Sequence, residues 1–267
     1  MIREILQRHD FRPRTDRGQH FLDDPSVVEE MVEEADLEGS ETVLEIGAGV
    51  GTITKQLAEE AGEVLAYEND PELVRILREE VKGLDNVEVR DEDVLKAEIP
   101  EFDACVSNIP FHLSTDVLEF LVDREKRSVI LVQEEFAQRL VAEPGEDAYS
   151  LTTVVANYGF IPAYLDSVPS TSFYPEMDVE AALVKLFPRD EEFPVGKDSF
   201  QQVTKSLFVH SKKKLRNAFY DSRHMFDLDR QEAKELRDSI PHSEERVREL
   251  GTREFVEVAR FLEGSLD

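Results

Sequence analysis

The chain has 267 residues, enough for one substantial core and a smaller second unit. Its 59 acidic residues outweigh 31 basic ones for a formal net charge of −28, yet 40% of the residues are hydrophobic and fall in periodic blocks, which excludes a disordered chain. No apolar run is long enough to cross a bilayer, the start MIREILQRHD has no secretory apolar core, and the single Cys105 excludes an internal disulfide and a thiolate metal centre, so a cytoplasmic protein without metal or membrane partner is expected.

The first twenty residues carry Arg3, Arg8, Arg12, Arg14 and Arg17 and read as a basic segment. From Thr42 the pattern alternates short apolar strands with amphipathic helices, the mark of a mostly parallel Rossmann-like α/β sheet. TVLEIG (42–47) is a buried strand, followed by a glycine turn and a helix to Ala61; VLAYE (64–68) is the second strand, and Pro71 starts a helix to about Lys82. Residues 86–91, 103–108 and 128–133 are the third to fifth strands, and 158–186 offers two more, as an antiparallel edge pair. FPRDEEFPVG (187–196) breaks the pattern, placing an α/β domain at 1–188 and a small all-helical domain at 189–267, with helices over 199–219, 229–239 and 252–262.

Chemistry concentrates at the strand ends. Glu45 precedes Gly47, Gly49 and Gly51 in a G-x-G-x-G spacing, which differs from the G-x-G-x-x-G of dinucleotide enzymes and lacks the lysine of a P-loop. Glycines let the backbone approach a ligand, while Glu45 would repel a pyrophosphate and suits the cationic amino and sulfonium groups of S-adenosylmethionine. Glu68 ends the second strand, where a carboxylate can accept from ribose hydroxyls, and Asp93 follows the third, placed for an adenine amino group. Three glycines alone would mark only a tight turn; with both carboxylates they predict an S-adenosylmethionine site.

The fourth strand ends in Asn108-Ile109-Pro110-Phe111, which resembles the Asn/Asp-Pro-Pro-Tyr/Phe motif of methyltransferases acting on planar amino nitrogens. An adenine amino lone pair is delocalised, so the Asn108 side-chain oxygen and the Ile109 carbonyl, accepting its N–H bonds, would favour a more pyramidal nitrogen. Pro110 fixes the turn and Phe111 offers a stacking face. By itself the tetrapeptide could equally be a strand-ending turn with Phe111 in the core.

Gly18-Gln19-His20-Phe21-Leu22, the glycine loop, Asn-Ile-Pro-Phe, the stretch 133–140 (QEEFAQRL) and Phe173-Tyr174-Pro175 together resemble the KsgA/Dim family of small-subunit ribosomal RNA adenine dimethyltransferases. The likeness runs from about Arg12 to Leu186 and resumes weakly at 212–217. It implies dimethylation of adenosines in small-subunit ribosomal RNA within a pre-ribosomal particle, by a monomer. It adds His20 and Leu22 as cofactor contacts, matches Gly47, Glu68, Asp93 and Asn108 to the other cofactor positions, and lets Phe173 cover the base. Phe111 stands where the family more often has tyrosine, and Met177 and Ala181 replace the later proline and serine. Adenine methylation of large-subunit RNA or DNA, and ribosome assembly with secondary catalysis, are the alternative functions.

Two basic clusters stand out as phosphate contacts against the acidic background: Arg12, Arg14 and Arg17, and Lys212, Lys213, Lys214 and Arg216 in what reads as the first helix of the appendage. The acid excess lies in pairs such as Glu29-Glu30, Glu33-Glu34, Glu59-Glu60 and Glu79-Glu80, read as solvated faces. It suits a very salty cytosol, where the Debye length falls to about 3 Å at 1 M salt, and points to a halophilic archaeal source.

Overall fold

A computed structural model gives the fold and describes residues 2–266, so Met1 and Asp267 of the two expected domains lie outside it. The chain up to Ala137 and Phe160–Pro188 form one compact unit, while Gln138–Gly159 and the chain from Arg189 onward form another.

The first unit runs α1 (Ile2–Arg8), β1 (Phe21–Leu22), α2 (Pro25–Glu34), β2 (Thr42–Ile46), α3 (Thr52–Glu60), β3 (Glu63–Glu68), α4 (Pro71–Glu80), β4 (Val87–Asp91), β5 (Ala104–Asn108), α5 (Ser114–Val122) and β6 (Arg127–Gln133). The helix α6 (Glu134–Val141) carries the chain into the second unit and α7 (Leu151–Gly159) ends there, before β7 (Phe160–Val168), β8 (Phe173–Tyr174) and β9 (Ala181–Pro188) complete the first.

Among the described residues the main sheet has the order β4-β3-β2-β5-β6-β9-β7. Its first five strands are parallel, and β9 runs antiparallel to both β6 and β7, the edge pair read from 158–186. β2 and β5 read as near-continuous apolar runs because both faces are covered: residues 43–46 and 104–107 are buried. The chain lays β3 and β4 on one side of β2, then returns to place β5 on the other, so a crevice opens at the carboxyl ends of β2 and β5. Asp24 and Asp70 cap α2 and α4, accepting the amide hydrogens of Ser26 and Glu72, with Pro25 and Pro71 at the first helical position.

The basic N-terminal segment is half core. Ile2, Ile5, Leu6 and Phe11 pack with Phe21, Val50, Leu73 and Ile76, because α1 places its apolar positions on one face.

In the second unit follow α8 (Lys197–Phe208), α9 (Leu215–Ser222), α10 (Arg230–Leu236) and α11 (Thr252–Leu266). Residues 138–159, expected in the α/β domain, belong here: Ala142, Tyr149 and Val154 share a core with Phe200, Leu207, Phe219 and Phe255. The single helix expected over 199–219 is two helices. Residues 209–214 turn instead, because their backbone and that of Leu215 and Arg216 bond to 243–248: Leu215 donates to the Glu245 carbonyl, and Val247 and Arg248 donate to Lys213 and Ser211.

Candidate active site

A cavity of about 930 Å³ opens at the sheet's carboxyl edge, and residues from each strand end expected to carry chemistry line it. β2 brings Glu45 and the turn after it Gly47 and Gly49; β3 brings Glu68; the turn after β4 brings Asp93; and β5 brings Asn108, with Ile109, Pro110 and Phe111 in the turn that follows. His20 and Leu22 line it from the N-terminal side, Phe173 from β8, and Met177 from the loop before β9.

The glycine loop is held by its neighbours' oxygens. Gly47 and Ala48 donate to the Tyr67 carbonyl at 2.8 and 3.0 Å, and Gly49 donates to Glu68 Oε2 at 2.9 Å. Gly47 and Gly49 have φ of +73° and +58°. A Cβ on Gly47 would stand 3.5 Å from Pro110 and one on Gly49 3.3 Å from the Phe21 ring, so the glycines let three loops meet over the cavity. Gly51 is different. It is not among the cavity-lining residues; it caps α3 at φ +84°, and a Cβ there would meet Leu77 at 2.9 Å. Its role is packing α3 against α4, a correction to its expected place at the cofactor.

Glu68 is buried and does more than wait for a ligand. Its Oε1 accepts from the amides of Asn69 and Asp70, both at 2.9 Å, in addition to the Gly49 bond at Oε2. Burial raises its pKa, and the three amide donors oppose the shift. Glu45 is buried too, and accepts from Thr54 Oγ1 at 2.6 Å. Burial, only partly offset by Thr54 and reinforced by the neighbouring Glu68 charge, pushes its pKa up to about 8. Asp93 is half-buried and its pKa is lowered, chiefly by the Lys96 ammonium at 2.6 Å.

At the acceptor loop, Ile109 donates its amide to the Leu131 carbonyl at 3.1 Å, and no group among the described residues bonds the Asn108 side chain. Phe111 is half-buried against the core and opens a turn over 111–113, tied down by Ser114 Oγ donating to the Phe111 carbonyl at 3.0 Å. Phe173 is buried opposite Leu22, because β1 and β8 pair with Leu22↔Phe173 and Phe21↔Tyr174 in register.

The basic residues divide. Arg12 and Arg17 are exposed and, among the described residues, have no carboxylate in ion-pair range. Arg14 instead pairs with buried Asp70, and Arg8 with Glu80 at 2.6 Å. In the second unit Lys212 is exposed, but Lys213 pairs with Asp221 at 2.7 Å, and Lys214 and Arg216 both hold Glu244. These three reach a phosphate only by exchanging a partner.

Thr54 beside Glu45, and Asp70 as the partner of Gln19, were not anticipated from the sequence. Asp70 could have been found as the residue before a helix-opening proline, and Thr54 only by knowing which face α3 turns to β2. Cys105 was read correctly as core: it is buried and its thiol is pushed up to about 12.

The cavity suits S-adenosylmethionine on its own terms. Its glycine cradle would be filled by Cβ atoms, seven carboxylate residues line it, and Arg17 is the one lysine or arginine lining it among the described residues, a donor set unsuited to phosphates. The chain matches the family model "Ribosomal RNA adenine dimethylase" over residues 10–250. It is 37% identical to a Thermococcus kodakarensis protein designated "probable ribosomal RNA small subunit methyltransferase A", over 97% of this chain and 93% of that one. A Methanosarcina acetivorans protein with the same designation is 35% identical over 98% of each chain. In fold it is similar to a dimethyladenosine transferase from Plasmodium falciparum, with TM-score 0.80 and 24% identity over 89% of this chain and 95% of that one. With glycine loop, carboxylates and Asn-Ile-Pro-Phe turn on one cavity and a family match across both units, the chain belongs to the ribosomal RNA adenine dimethylase family.

Proposed function

We infer that this chain is an S-adenosylmethionine-dependent enzyme that dimethylates the N6 amino group of adenosines in small-subunit ribosomal RNA. The observation that carries the reading is the convergence of Asn108-Ile109-Pro110-Phe111 with the glycine loop and Glu68 on one cavity. S-adenosylmethionine supplies an electrophilic methyl group on a sulfonium. Glu68 would hold the ribose with the lone pair left on Oε2, Asp93 the adenine amino group, and Glu45 the amino-acid end, whose positive charge would favour its ionised form; His20 and Leu22 close the N-terminal side. The Asn108 side-chain oxygen and the Ile109 carbonyl accept from the target amino group, and Phe111 and Phe173 hold the base plane. A first transfer would release the sulfur as a neutral thioether and one amino proton to solvent; the nitrogen then keeps one N–H, so one of the two acceptors still orients it for a second.

Arg12, Arg17 and Lys212 are the readiest phosphate contacts, and the substrate is RNA within a pre-ribosomal particle, met by a monomer in the cytoplasm. The charge of −28 supports a salt-adapted source: most of the paired glutamates, including Glu29, Glu33, Glu59, Glu60 and Glu79, are exposed. Purified protein incubated with small subunits from a deletion strain and labelled S-adenosylmethionine should yield dimethyladenosine by mass spectrometry of the RNA. Label in large-subunit RNA alone would reject the reading.

A further inference from the structure

We propose that Arg14, Gln19 and Asp70 form a clasp that holds residues 14–22 across the cavity, so that Arg14 governs cofactor retention and not RNA binding. The proposal rests on the S-adenosylmethionine reading of the cavity. Asp70 is 7% exposed, and both of its carboxylate oxygens accept hydrogen bonds. Oδ1 accepts the Glu72 amide at 3.0 Å, which caps α4, and Oδ2 accepts from Gln19 Nε2 at 2.9 Å and from Arg14 Nη2. Gln19 closes the other side: its Oε1 accepts the Arg14 amide at 2.8 Å, and its own amide donates to the Arg14 carbonyl at 3.2 Å. The tight turn between them needs Gly18 at φ +72°.

Beyond the clasp the segment is fixed a second time. His20 Nδ1 bonds the Pro175 carbonyl at 2.8 Å, and Leu22 pairs with Phe173. The stretch that carries both fastenings, Gly18 to Leu22, lines the cavity. Asp70 also reaches the cofactor side directly, since its amide donates to Glu68 Oε1 at 2.9 Å. One residue therefore ties the segment and the ribose carboxylate together. A buried carboxylate deprived of its cation is costly, so Arg14 is bound to this partner, with Glu72 also 3.6 Å away. Arg12 and Arg17, on either side in the sequence, have no such tie.

Asp70→Asn keeps an oxygen for the helix cap and removes the charge that holds Arg14. It should speed S-adenosylmethionine dissociation about tenfold, the size expected for one charge-assisted hydrogen bond. It should also quicken hydrogen exchange over residues 14–22 in the cofactor-free protein, while the salt slope of RNA binding stays parental. Arg14→Gln should do the same and Arg14→Lys recover part of the loss, whereas Arg12→Gln should flatten the slope by about one and leave dissociation unchanged. Parental dissociation and exchange in Arg14→Gln, with a flattened slope, would overturn the clasp and make Arg14 a phosphate contact. If the parent itself fails to bind S-adenosylmethionine, the cofactor reading falls, and exchange in the cofactor-free variants still decides the clasp: unchanged exchange rejects it.

Discussion

Glu68 and Glu45 face one cavity from adjacent strands, but Glu68 receives three backbone amides and Glu45 a single threonine hydroxyl. Glu68→Ala would strand those amides, at about 1–3 kcal/mol for each one left buried without a partner, so it should lower the melting temperature as well as abolish cofactor binding. Glu68→Gln, which keeps one oxygen, should melt closer to the parent, and calorimetry on both variants checks the difference. Glu45 binds its proton more tightly folded, with a pKa of about 8 against 4.5, so its contribution to stability is greatest below pH 4.5 and falls as pH rises toward 8. Cofactor-free Glu45→Gln should accordingly gain melting temperature over the parent at pH 8 and lose that advantage near pH 4.5. At the acceptor loop, Asn108→Ala should cost roughly a hundredfold in methyl transfer, as for a preorganised polar group. Phe111→Ala should be severe and Phe111→Tyr mild, since base stacking is worth about 1–3 kcal/mol; single-turnover rates on small subunits decide both. The strand-end residues of this site were legible because their chemistry sits in contiguous motifs. The Thr54 hydroxyl and the Arg14–Asp70 pair were not, because they depend on which side chains tertiary packing brings within 3 Å.

The parallel strands were equally legible, four of them apolar runs and β4 an alternating Val-Glu-Val-Arg-Asp, each ending in a glycine or a polar residue, and their boundaries shift by a residue at most. The helices of the second unit were less so, because no proline or glycine marks a break at residues 209–214 while the backbone there bonds to a segment some thirty positions away. That segment is itself clamped. His242, in the left-handed region at φ +60°, bonds Glu245 through Nδ1 at 2.8 Å and Glu257 on α11 through Nε2 at 3.0 Å. Partial burial lowers its pKa, but the two carboxylates outweigh that and raise it above 6.5. The clamp therefore stabilises fully below pH 6.5 and is lost as pH rises through the raised value. His242→Gln should flatten the decline in melting temperature between pH 6.5 and pH 8.5 without affecting cofactor affinity. The neighbouring Glu244 neutralises Lys214 and Arg216, so Glu244→Gln should free both and steepen the salt dependence of RNA binding, by up to about two units of slope.

For the molecule as a whole, a charge of −28 means that low salt opposes both folding and approach to RNA. Melting temperature and RNA affinity should rise together as salt is first added, after which affinity alone should fall as phosphate contacts are screened; titrating both along one salt series checks the divergence. Not every acidic pair serves solubility. Glu80 is nearly buried and receives Arg8, His9 and Lys55, which fastens α1 to α3 and α4. The pairing of β1 with β8 has a consequence for synthesis. Phe21 emerges from the ribosome some 150 residues before Tyr174, its partner in register. At about 5–20 residues per second, the N-terminal flank of the cavity waits roughly 8–30 seconds for the strand that seats it. The nascent chain can therefore lay down its central parallel strands while it still lacks the strand that completes the cavity, and cofactor capture becomes a late event in the birth of the enzyme.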